Sequence, residues 1–335
     1  MASMYPDVAS LLHAHGIGAP ESREAIGGGF SGSSLTSIEH GGERYILKHM
    51  QGADDWLMRV TGDASCREAQ FAAWPLLERL PARVRVPALG AARDGDGWLL
   101  LMRDISPLML PADGIVEPPV LEVILRAAAD LHAQFWGDPL ADARPWLTGT
   151  RERLLMLSPA TGAALAADGV EFGIVPGWQA FERRAPREAA RLAARLFADL
   201  TPLLHVLDAL PATLVHGDLK FGNAGVDGDT LWLIDWALVA RAPAALEMAW
   251  FLGVNSSRLP WTLDETMDRY ARLLEAALGA ARFEAAAWPR QRAAVAVCGL
   301  LMYGWGKALD AAAGRPDELL WWCERAIAGA RALGL

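Results

Sequence analysis

The sequence predicts an α+β protein in which a sheet-rich N-terminal part precedes a larger, mostly helical C-terminal part. In the first hundred residues, Gly-rich turns separate short apolar runs, which is the pattern of an antiparallel sheet with hairpins. From about Pro107 onward, long Ala/Leu/Arg-rich segments carry apolar residues at spacings of three and four, which is typical of helices. The predicted parts are residues 1–105 and 106–335.

Each part contains one exception to its own pattern. In the first part, residues 64–80 ("ASCREAQFAAWPLLERL") have apolar residues at helical spacing and predict a single helix within the sheet-rich region. In the second part, residues 214–237 ("LVHGDLKFGNAGVDGDTLWLIDWA") contain two short strand-like runs joined by an Asp-Gly turn, which predicts a small hairpin.

Composition narrows the class of protein. The chain has 335 residues, of which 53% are hydrophobic, and this is enough to build a sizeable core. A net charge of -9 without a basic run argues against a nucleic-acid partner; it would suit a cationic ligand, although solubility alone explains it. No long uncharged apolar stretch and no signal-like N-terminus is visible, so we expect a cytoplasmic protein without a membrane partner.

The cysteines do not suggest a cross-link or a metal site. Cys66, Cys298 and Cys323 are far apart and form no Cys-x-x-Cys pair. We therefore expect free thiols rather than a disulfide framework or a zinc site.

Polar residues with a chemical use are concentrated around the predicted hairpin. His216, Asp218 and Asn223 precede it, and Asp235 follows its second strand. Two carboxylates and a carboxamide in this arrangement are the groups needed to hold Mg²⁺ and to accept a hydroxyl proton during phosphoryl transfer. Because Mg²⁺ combines few protein oxygens with substrate phosphates, Asn223 and Asp235 suffice as ligands, which leaves Asp218 as the base.

Such a site requires a glycine-rich turn, a lysine on a following strand and a glutamate on the next helix. The segment "GGGFSG" matches G-x-G-x-x-G at Gly27, Gly29 and Gly32. Strand-like runs follow it, so it predicts a hairpin loop over phosphates rather than a dinucleotide site. Lys48 ends the run "RYILK", and Glu68 lies in the first turn of the predicted helix, where the helix dipole alone would also favour it.

Lysine is rare in this chain, so the position of each lysine is informative. Lys48, Lys220 and Lys307 are the only three in the chain. The first two fall at predicted phosphate-facing positions, where a compact ammonium differs from a guanidinium. Lys307 is predicted to be a surface or cap residue.

Other residues allow two interpretations. We expect His216 to brace its loop by a hydrogen bond rather than to transfer a proton. Asp264, Glu265 and Asp268 would suit either a cationic acceptor or a helix N-terminus. The tryptophans of the last third would either stack on a substrate or belong to the core, and core is the expectation for most of them: Trp250, Trp261, Trp288, Trp305, Trp321 and Trp322.

The chain resembles the aminoglycoside phosphotransferase and choline kinase-like family, a branch of the protein-kinase-like fold. The resemblance rests on "HGDLKFGN", "LIDW", "YILK", "REAQFAAWPLL", "LLLMRDI" and "LHAQFW" and runs from the glycine-rich loop to about Trp250. It implies a bilobal kinase-like fold and transfer of the γ-phosphoryl group of ATP with Mg²⁺, GTP remaining open as the donor.

The resemblance also implies roles for particular residues. Asp218 would be the catalytic base, with His216 and Lys220 beside it in the catalytic loop, and Asn223 and Asp235 would bind Mg²⁺.

For the nucleotide, Lys48 and Glu68 would form the phosphate-anchoring pair, and the backbone of Arg103 and Ile105 would contact adenine. The loop residues implied for nucleotide binding are Gly27, Gly29, Ser31 and Gly32.

Three departures from the family pattern leave the subfamily open. Phe221 stands where Pro is frequent, Lys220 is closer to the protein kinases, and Glu247 stands where Asp is commoner. We expect an acceptor hydroxyl on a small molecule, such as an aminoglycoside-like or other sugar or nucleoside antibiotic. The alternatives are a metabolic kinase for choline, homoserine or a sugar, and a nucleotide-binding pseudokinase. A monomer or a homodimer is expected.

Overall fold

The computed structural model describes residues 3–139, 144–285 and 287–335. The strands of the N-terminal part are β1 (Ser3–Tyr5), β2 (Ser22–Gly28), β3 (Ser34–His40), β4 (Glu43–Met50), β5 (Val84–Arg85), β6 (Ala88–Asp94) and β7 (Gly97–Arg103). All but β5 form one sheet in the order β1-β6-β7-β4-β3-β2. The predicted α+β class is confirmed.

Tight turns explain the hairpins of this sheet. Between β3 and β4, His40 pairs with Glu43 across a two-residue turn. Gly41 and Gly42 have φ of +62° and +78° there. This conformation matches the twist of the strands and strongly favours glycine over residues with a Cβ. The "HGGE" segment therefore specifies the turn.

Two expectations for this part need correction. The sheet is not wholly antiparallel, because β1 pairs with β6 in parallel. In place of one helix the described residues contain three, and all of them are shorter than the window over which helical spacing can be recognised. The predicted helix also ends early, because the chain turns at Trp74 and Pro75. The three helices are α1 (Val8–Ala14), α2 (Trp56–Val60) and α3 (Arg67–Ala72).

The second part is mostly helical, as predicted. Its central helix, α13 (Trp288–Ala312), is buried over most of its length and packs against α7 (Ile174–Arg184), α10 (Ala244–Asn255) and α14 (Asp317–Leu333). Its helices in the described residues are α4 (Pro118–Gln134), α5 (Thr150–Leu155), α6 (Pro159–Ala167), α7 (Ile174–Arg184), α8 (Arg187–Ala198), α9 (Thr201–Asp208), α10 (Ala244–Asn255), α11 (Leu263–Leu278), α12 (Ala280–Ala285), α13 (Trp288–Ala312) and α14 (Asp317–Leu333).

Short strands of the second part carry the site. They are β8 (Ala212–Val215), β9 (Ala224–Asp227), β10 (Thr230–Leu233) and β11 (Ala240–Pro243). The predicted hairpin is formed by β9 and β10, which pair antiparallel, and β11 pairs with β8. On its other edge, β10 pairs in parallel with β5 of the N-terminal part. A backbone ladder therefore joins the hairpin to the first hundred residues.

An aromatic stack strengthens the same junction. The Phe71 ring of α3 lies on the Trp236 ring at 4.1 Å between centroids, with 17° between the planes. The buried Arg67 donates from its guanidinium to the carbonyls of Trp146 and Ala237. Helix α3 is thus fixed to the turn that follows β10.

Two further features concern the whole chain. The cysteines at 66, 298 and 323 are free thiols, and all three are buried. Within the described ranges, the chain has no helix with the length and apolar character needed to cross a membrane.

Candidate active site

The glycine-rich loop joins two neighbouring strands rather than a strand and a helix. β2 and β3 pair antiparallel up to Gly28 and Ser34, with a bulge between Ala25 and Gly27. In the loop, the Gly29 N–H donates to the Ser33 carbonyl at 2.5 Å. The expected hairpin geometry is present, and the dinucleotide alternative is excluded.

Helix α2 holds the tip of this loop. The Ser31 hydroxyl donates to the Asp55 carboxylate at 2.6 Å. Gly32 has φ of +117°, and a Cβ at this position would lie 2.3 Å from the Asp54 carbonyl oxygen. Only glycine fits that close approach, which explains the third glycine of the motif.

Lys48 of β4 joins two carboxylates inside the cleft. Its buried ammonium lies 2.6 Å from Glu68 Oε2 and 3.0 Å from Asp235 Oδ1. Burial alone would lower the pKa of Lys48, but the charges of Asp235 and Glu68 outweigh it and raise that pKa above its ordinary value. The ammonium therefore stays charged, as a phosphate anchor requires.

Asp235 stands at a strained turn directly after Ile234. Its φ of +64° and ψ of +60° are left-handed, which costs energy for any residue with a Cβ. Its side chain is 34% exposed. Burial would raise its pKa, yet the charges of Lys48 and Lys220 lower the pKa below its ordinary value. Asp235 is therefore ionised at neutral pH.

The carboxylate of Asp218 receives three donors. Trp250 Nε1 donates to Oδ1 at 2.7 Å, while Asn223 Nδ2 and Lys220 Nζ donate to Oδ2 at 2.9 and 2.8 Å. The side chain is almost completely buried yet lines the cleft. These contacts fix its orientation.

His216 lies fully buried behind that carboxylate, with both ring nitrogens engaged. Nε2 donates to the Ile234 carbonyl at 3.0 Å, and Nδ1 accepts the Asp218 N–H at 3.2 Å. The backbone N–H groups of His216 and Gly217 donate to Glu247 of α10, at 2.5 and 3.1 Å. This geometry is that of a brace, since no ring nitrogen is left for a substrate.

The end of the cleft at which the sequence predicts the nucleotide is an apolar slot. Arg103 and Ile105 line it. The Arg103 N–H donates to the Pro87 carbonyl at 3.0 Å, so that group is already used within the protein. The apolar side chains of the slot are Ile26, Leu35, Ile46, Met102, Met109 and Ile234.

One cleft of about 560 Å³ brings most of the predicted residues together. Gly27, Gly32, His216 and Asn223 support it from within their own loops and do not line it. The predicted residues along its walls are Gly29, Ser31, Lys48, Glu68, Arg103, Ile105, Asp218, Lys220 and Asp235.

The donors for a magnesium ion are few but suitable. Asn223 donates from its amide nitrogen to Asp218, which leaves its Oδ1 for the ion. Lys48 contacts Oδ1 of the Asp235 carboxylate, which leaves Oδ2 of that carboxylate for the ion. In the described ranges, no three His, Cys, Asp or Glu side chains are grouped as a metal site would need. A carboxylate and a carboxamide oxygen suit Mg²⁺, which takes its remaining ligands from phosphates and water.

Sequence reasoning missed the partners that α10 supplies. Asn255 accepts the Phe221 N–H at 2.9 Å, a bond that proline at position 221 could not make, so the departure from the family pattern has a structural reason. Trp250 is buried with the core, as expected, and it also borders the cleft, which the sequence does not show because a large aromatic at helical spacing looks the same in a core and in a cleft wall.

Two other expectations are decided by tertiary contacts. Lys307 is not a surface residue: it is buried, and its ammonium lies 2.7 Å from Glu318 and 2.5 Å from the Ser256 hydroxyl. Asp264 binds Arg292 and Arg325 away from the cleft. Its neighbours are engaged as well, since Glu265 caps α11 and Asp268 pairs with Arg292.

The chain is similar to known proteins in both sequence and fold. The sequence model described as the phosphotransferase enzyme family matches residues 22–293. No curated protein matches the chain significantly.

Among solved structures, the apo form of a thermostable mutant of aminoglycoside phosphotransferase APH(4)-Ia is 18% identical, with 96% of this chain and 97% of that chain covered and a TM-score of 0.45. Choline kinase LicA from Streptococcus pneumoniae is 14% identical, with 93% and 94% covered and a TM-score of 0.49. A choline/ethanolamine kinase family protein from Mesorhizobium loti is 14% identical, with 97% of each chain covered and a TM-score of 0.47.

Proposed function

The chain belongs to the phosphotransferase enzyme family, a family of small-molecule kinases, and from this we propose that it transfers the γ-phosphoryl group of ATP to a hydroxyl group of a small molecule. One observation carries the proposal. The Lys48 ammonium joins Glu68 and Asp235 in the cleft that Asp218 also lines. A cation held between carboxylates of two elements, next to a third carboxylate, is the arrangement that positions a nucleotide for phosphoryl transfer.

The proton chemistry follows from the contacts of Asp218. The acceptor oxygen forms a bond to the γ-phosphorus while the bond from that phosphorus to the bridging oxygen of ADP breaks. Asp218 takes the hydroxyl proton, and the hydrogen bonds from Asn223 and Trp250 keep the Asp218 carboxylate oriented. Lys220, 2.8 Å from Asp218, is close enough to offset the negative charge of the transferring group.

Two residues would hold the magnesium ion. Asn223 and Asp235 supply the oxygen donors, and when bound the ion neutralises charge on the β- and γ-phosphates. Lys48 would contact the α- and β-phosphates, with Glu68 fixing its position. The loop around Ser31 would cover the phosphates, and the apolar slot beside Ile105 would hold the base.

The test is an acceptor screen with ATP and MgCl₂, in which ADP release and the mass of each product are measured. The panel contains an aminoglycoside, a nucleoside, a sugar, choline and homoserine, together with uncharged aromatic alcohols. Acceptor-dependent ADP release with a mass gain of one phosphoryl group is expected for at least one class. A protein that binds ATP but phosphorylates no member would favour the pseudokinase.

A further inference from the structure

The half of the cleft beyond Asp218 has an unusual lining. Besides Phe30, five aromatic side chains line it, and we name these five together the aromatic wall: Trp56, Phe172, Trp250, Tyr303 and Trp305. They contact one another in two groups. Trp250 and Trp305 lie on either side of Tyr303, at 5.7 and 5.5 Å between ring centroids, and Trp56 lies 4.9 Å from Phe172. The first group begins at the catalytic carboxylate, because Trp250 donates to Asp218.

The rest of this half is apolar too. Phe30, at the tip of the glycine-rich loop, is 73% exposed and contacts Phe172 at 5.1 Å between ring centroids. The loop therefore meets the aromatic wall across the mouth of the cleft. The aliphatic side chains that complete this half are Leu57, Met156, Leu157, Leu238 and Val254. A ligand here would exchange water for apolar surface over most of its area.

Among the residues that the structure describes, no unpaired carboxylate lines this half. Four described carboxylates line the whole cleft, and each has a partner. Lys48 binds two of them, Lys220 binds the third, and Arg44 contacts the fourth at 3.4 Å. These four are Glu68, Asp235, Asp218 and Asp104. A polycationic acceptor would thus bring its charges to a wall without counter-ions, and their desolvation would be unfavourable.

The faces of the rings are also occupied by cations of the protein itself. The guanidinium carbon of Arg153 lies 4.4 Å from the centroid of the Trp250 ring, and the Lys307 ammonium lies 5.2 Å from that of Tyr303. Both cations are buried. Among the described residues, the two terminal nitrogens of Arg153 have no hydrogen-bond partner. An aromatic cage for a quaternary ammonium needs free ring faces, and in each of these two rings one face is already occupied by a cation.

One polar group in the wall is left over. The indole N–H of Trp305 is buried without a hydrogen-bond partner among the described residues. Its nitrogen has almost no accessible surface, so it does not by itself mark a ligand contact.

From these observations we propose that the acceptor is an uncharged alcohol or phenol carried on an apolar, ring-containing body, which binds against the aromatic wall with its hydroxyl at Asp218. The proposal rests on the proposed function, and it commits to a substrate class that differs from both aminoglycosides and choline. The aromatic wall would select the body, and the absence of free carboxylates would exclude cations.

Calorimetric titration tests the preference, with three alcohols that differ in charge. These are 2-naphthylmethanol, choline and hygromycin B, each titrated into the protein with and without AMP-PNP and Mg²⁺. We expect 2-naphthylmethanol to bind with a dissociation constant below about 1 mM, as a compact aromatic fragment in a preformed apolar pocket does, and the two cations at least about tenfold more weakly. Equal or tighter binding of either cation, or no binding of 2-naphthylmethanol up to several times that concentration, would overturn the proposal.

The two nucleotide conditions separate this proposal from the proposed function. A protein that binds 2-naphthylmethanol but not AMP-PNP would retain the apolar site and refute the kinase activity. A protein that binds AMP-PNP but not 2-naphthylmethanol would refute the substrate class alone.

A matched pair of variants locates the site. Phe172→Ala is expected to weaken binding of 2-naphthylmethanol by about tenfold, because it removes one ring from the aromatic wall. Trp261→Ala is the control, since its ring lies under Arg269 at 3.8 Å outside the cleft lining, and it should leave the affinity unchanged. Unchanged affinity in Phe172→Ala, with AMP-PNP binding intact, would contradict the assignment. Phe172→Leu, which removes the ring but keeps an apolar side chain, should give an intermediate loss of affinity for 2-naphthylmethanol.

Discussion

Trp250 holds the carboxylate of Asp218 from the side opposite Lys220, through a hydrogen bond of 2.7 Å from its indole N–H. Trp250→Phe removes this donor and keeps a ring against Tyr303. A hydrogen bond to a charged group contributes about 1.5–3 kcal/mol, so we expect kcat to fall between about tenfold and a hundredfold. The KM for ATP should not change. Steady-state kinetics with Trp261→Phe as a control would measure this, and an unaltered kcat would show that Trp250 serves packing only.

We predict that turnover depends on the shape of the Lys48 side chain as well as on its charge. Lys48→Arg keeps the cation but must place a planar fork between Glu68 and Asp235, where a compact ammonium now fits at 2.6 and 3.0 Å. We expect acceptor-dependent turnover to fall by at least about a hundredfold. Arg331→Lys is the control, because it exchanges the same two residue types in the opposite direction at an exposed position. Near-normal activity in Lys48→Arg would mean that charge alone matters at this site.

Asp235 combines its proposed role as a magnesium ligand with a strained backbone. Both Asp235→Ala and Asp235→Gly should abolish Mg²⁺-dependent turnover, because each removes the carboxylate that would bind the ion. The two should differ in stability, since glycine adopts the φ of +64° without the penalty that a Cβ carries. Urea unfolding should find Asp235→Gly more stable than Asp235→Ala by about 1 kcal/mol. Equal stabilities would show that the turn relaxes in the absence of the carboxylate.

Helix α10 supplies most of the support for the loop of residues 216–223, the proposed catalytic loop. From its first turn, Glu247 accepts the backbone N–H groups of His216 and Gly217, and from its last residue, Asn255 accepts that of Phe221. Trp250 lies between them on the same helix. The loop is therefore shaped by one rigid element, whose residues are some thirty positions away in the chain.

The Glu247 contact predicts a pH dependence of stability. Burial would raise the pKa of Glu247, but nearby His132, His216 and the Gly217 N–H lower it below its ordinary value. A carboxyl group whose pKa is lowered in the folded state contributes its full stabilisation of the fold above the ordinary carboxyl pKa of about 4.5. This contribution is lost as the pH falls through the folded-state pKa.

Glu247→Gln should therefore be less stable than the parent near pH 7, and the difference should narrow below about pH 4.5. Thermal unfolding of both proteins between pH 7 and pH 3.5 would measure it. The exposed Glu188→Gln is the control, and its difference from the parent should be small at every pH. A Glu247→Gln deficit that stays constant down to pH 3.5 would contradict the assigned role of the charge.

The whole molecule shows which contacts a sequence can disclose. The glycine-rich loop, Lys48 and the catalytic loop were predictable because each is encoded in a few adjacent residues and each obeys a local geometric requirement. Lys307 was wrongly predicted as a surface residue, since its burial depends on Glu318 of another helix. The aromatic wall was not predictable either, because helical spacing identifies an apolar face without showing whether that face borders a core or a cleft.

Nucleotide binding should stabilise the two parts of the molecule together. Lys48 belongs to the sheet and Asp235 to the catalytic hairpin, so a bound nucleotide would contact both. A ligand at a hundred times its dissociation constant adds about 2.7 kcal/mol to the free energy of unfolding. We expect AMP-PNP with Mg²⁺ to raise Tm by several degrees in a thermal shift assay, and AMP-PNP with EDTA to raise it less. A shift that is identical in EDTA would argue against a magnesium-dependent nucleotide site.

Strand β5 affects how the gene can be recombined. Although it lies early in the chain, it forms the outer edge of the catalytic hairpin sheet, where Val84 pairs with Leu231 and the Leu231 N–H donates to the Arg83 carbonyl. A chimera made by a single crossover after residue 105 would combine β5 of one parent with β10 of the other. The side chains at this edge would then be mismatched beneath Asp235. Crossover libraries that exchange residues 81–87 together with the helical part would keep the native edge and yield more folded variants.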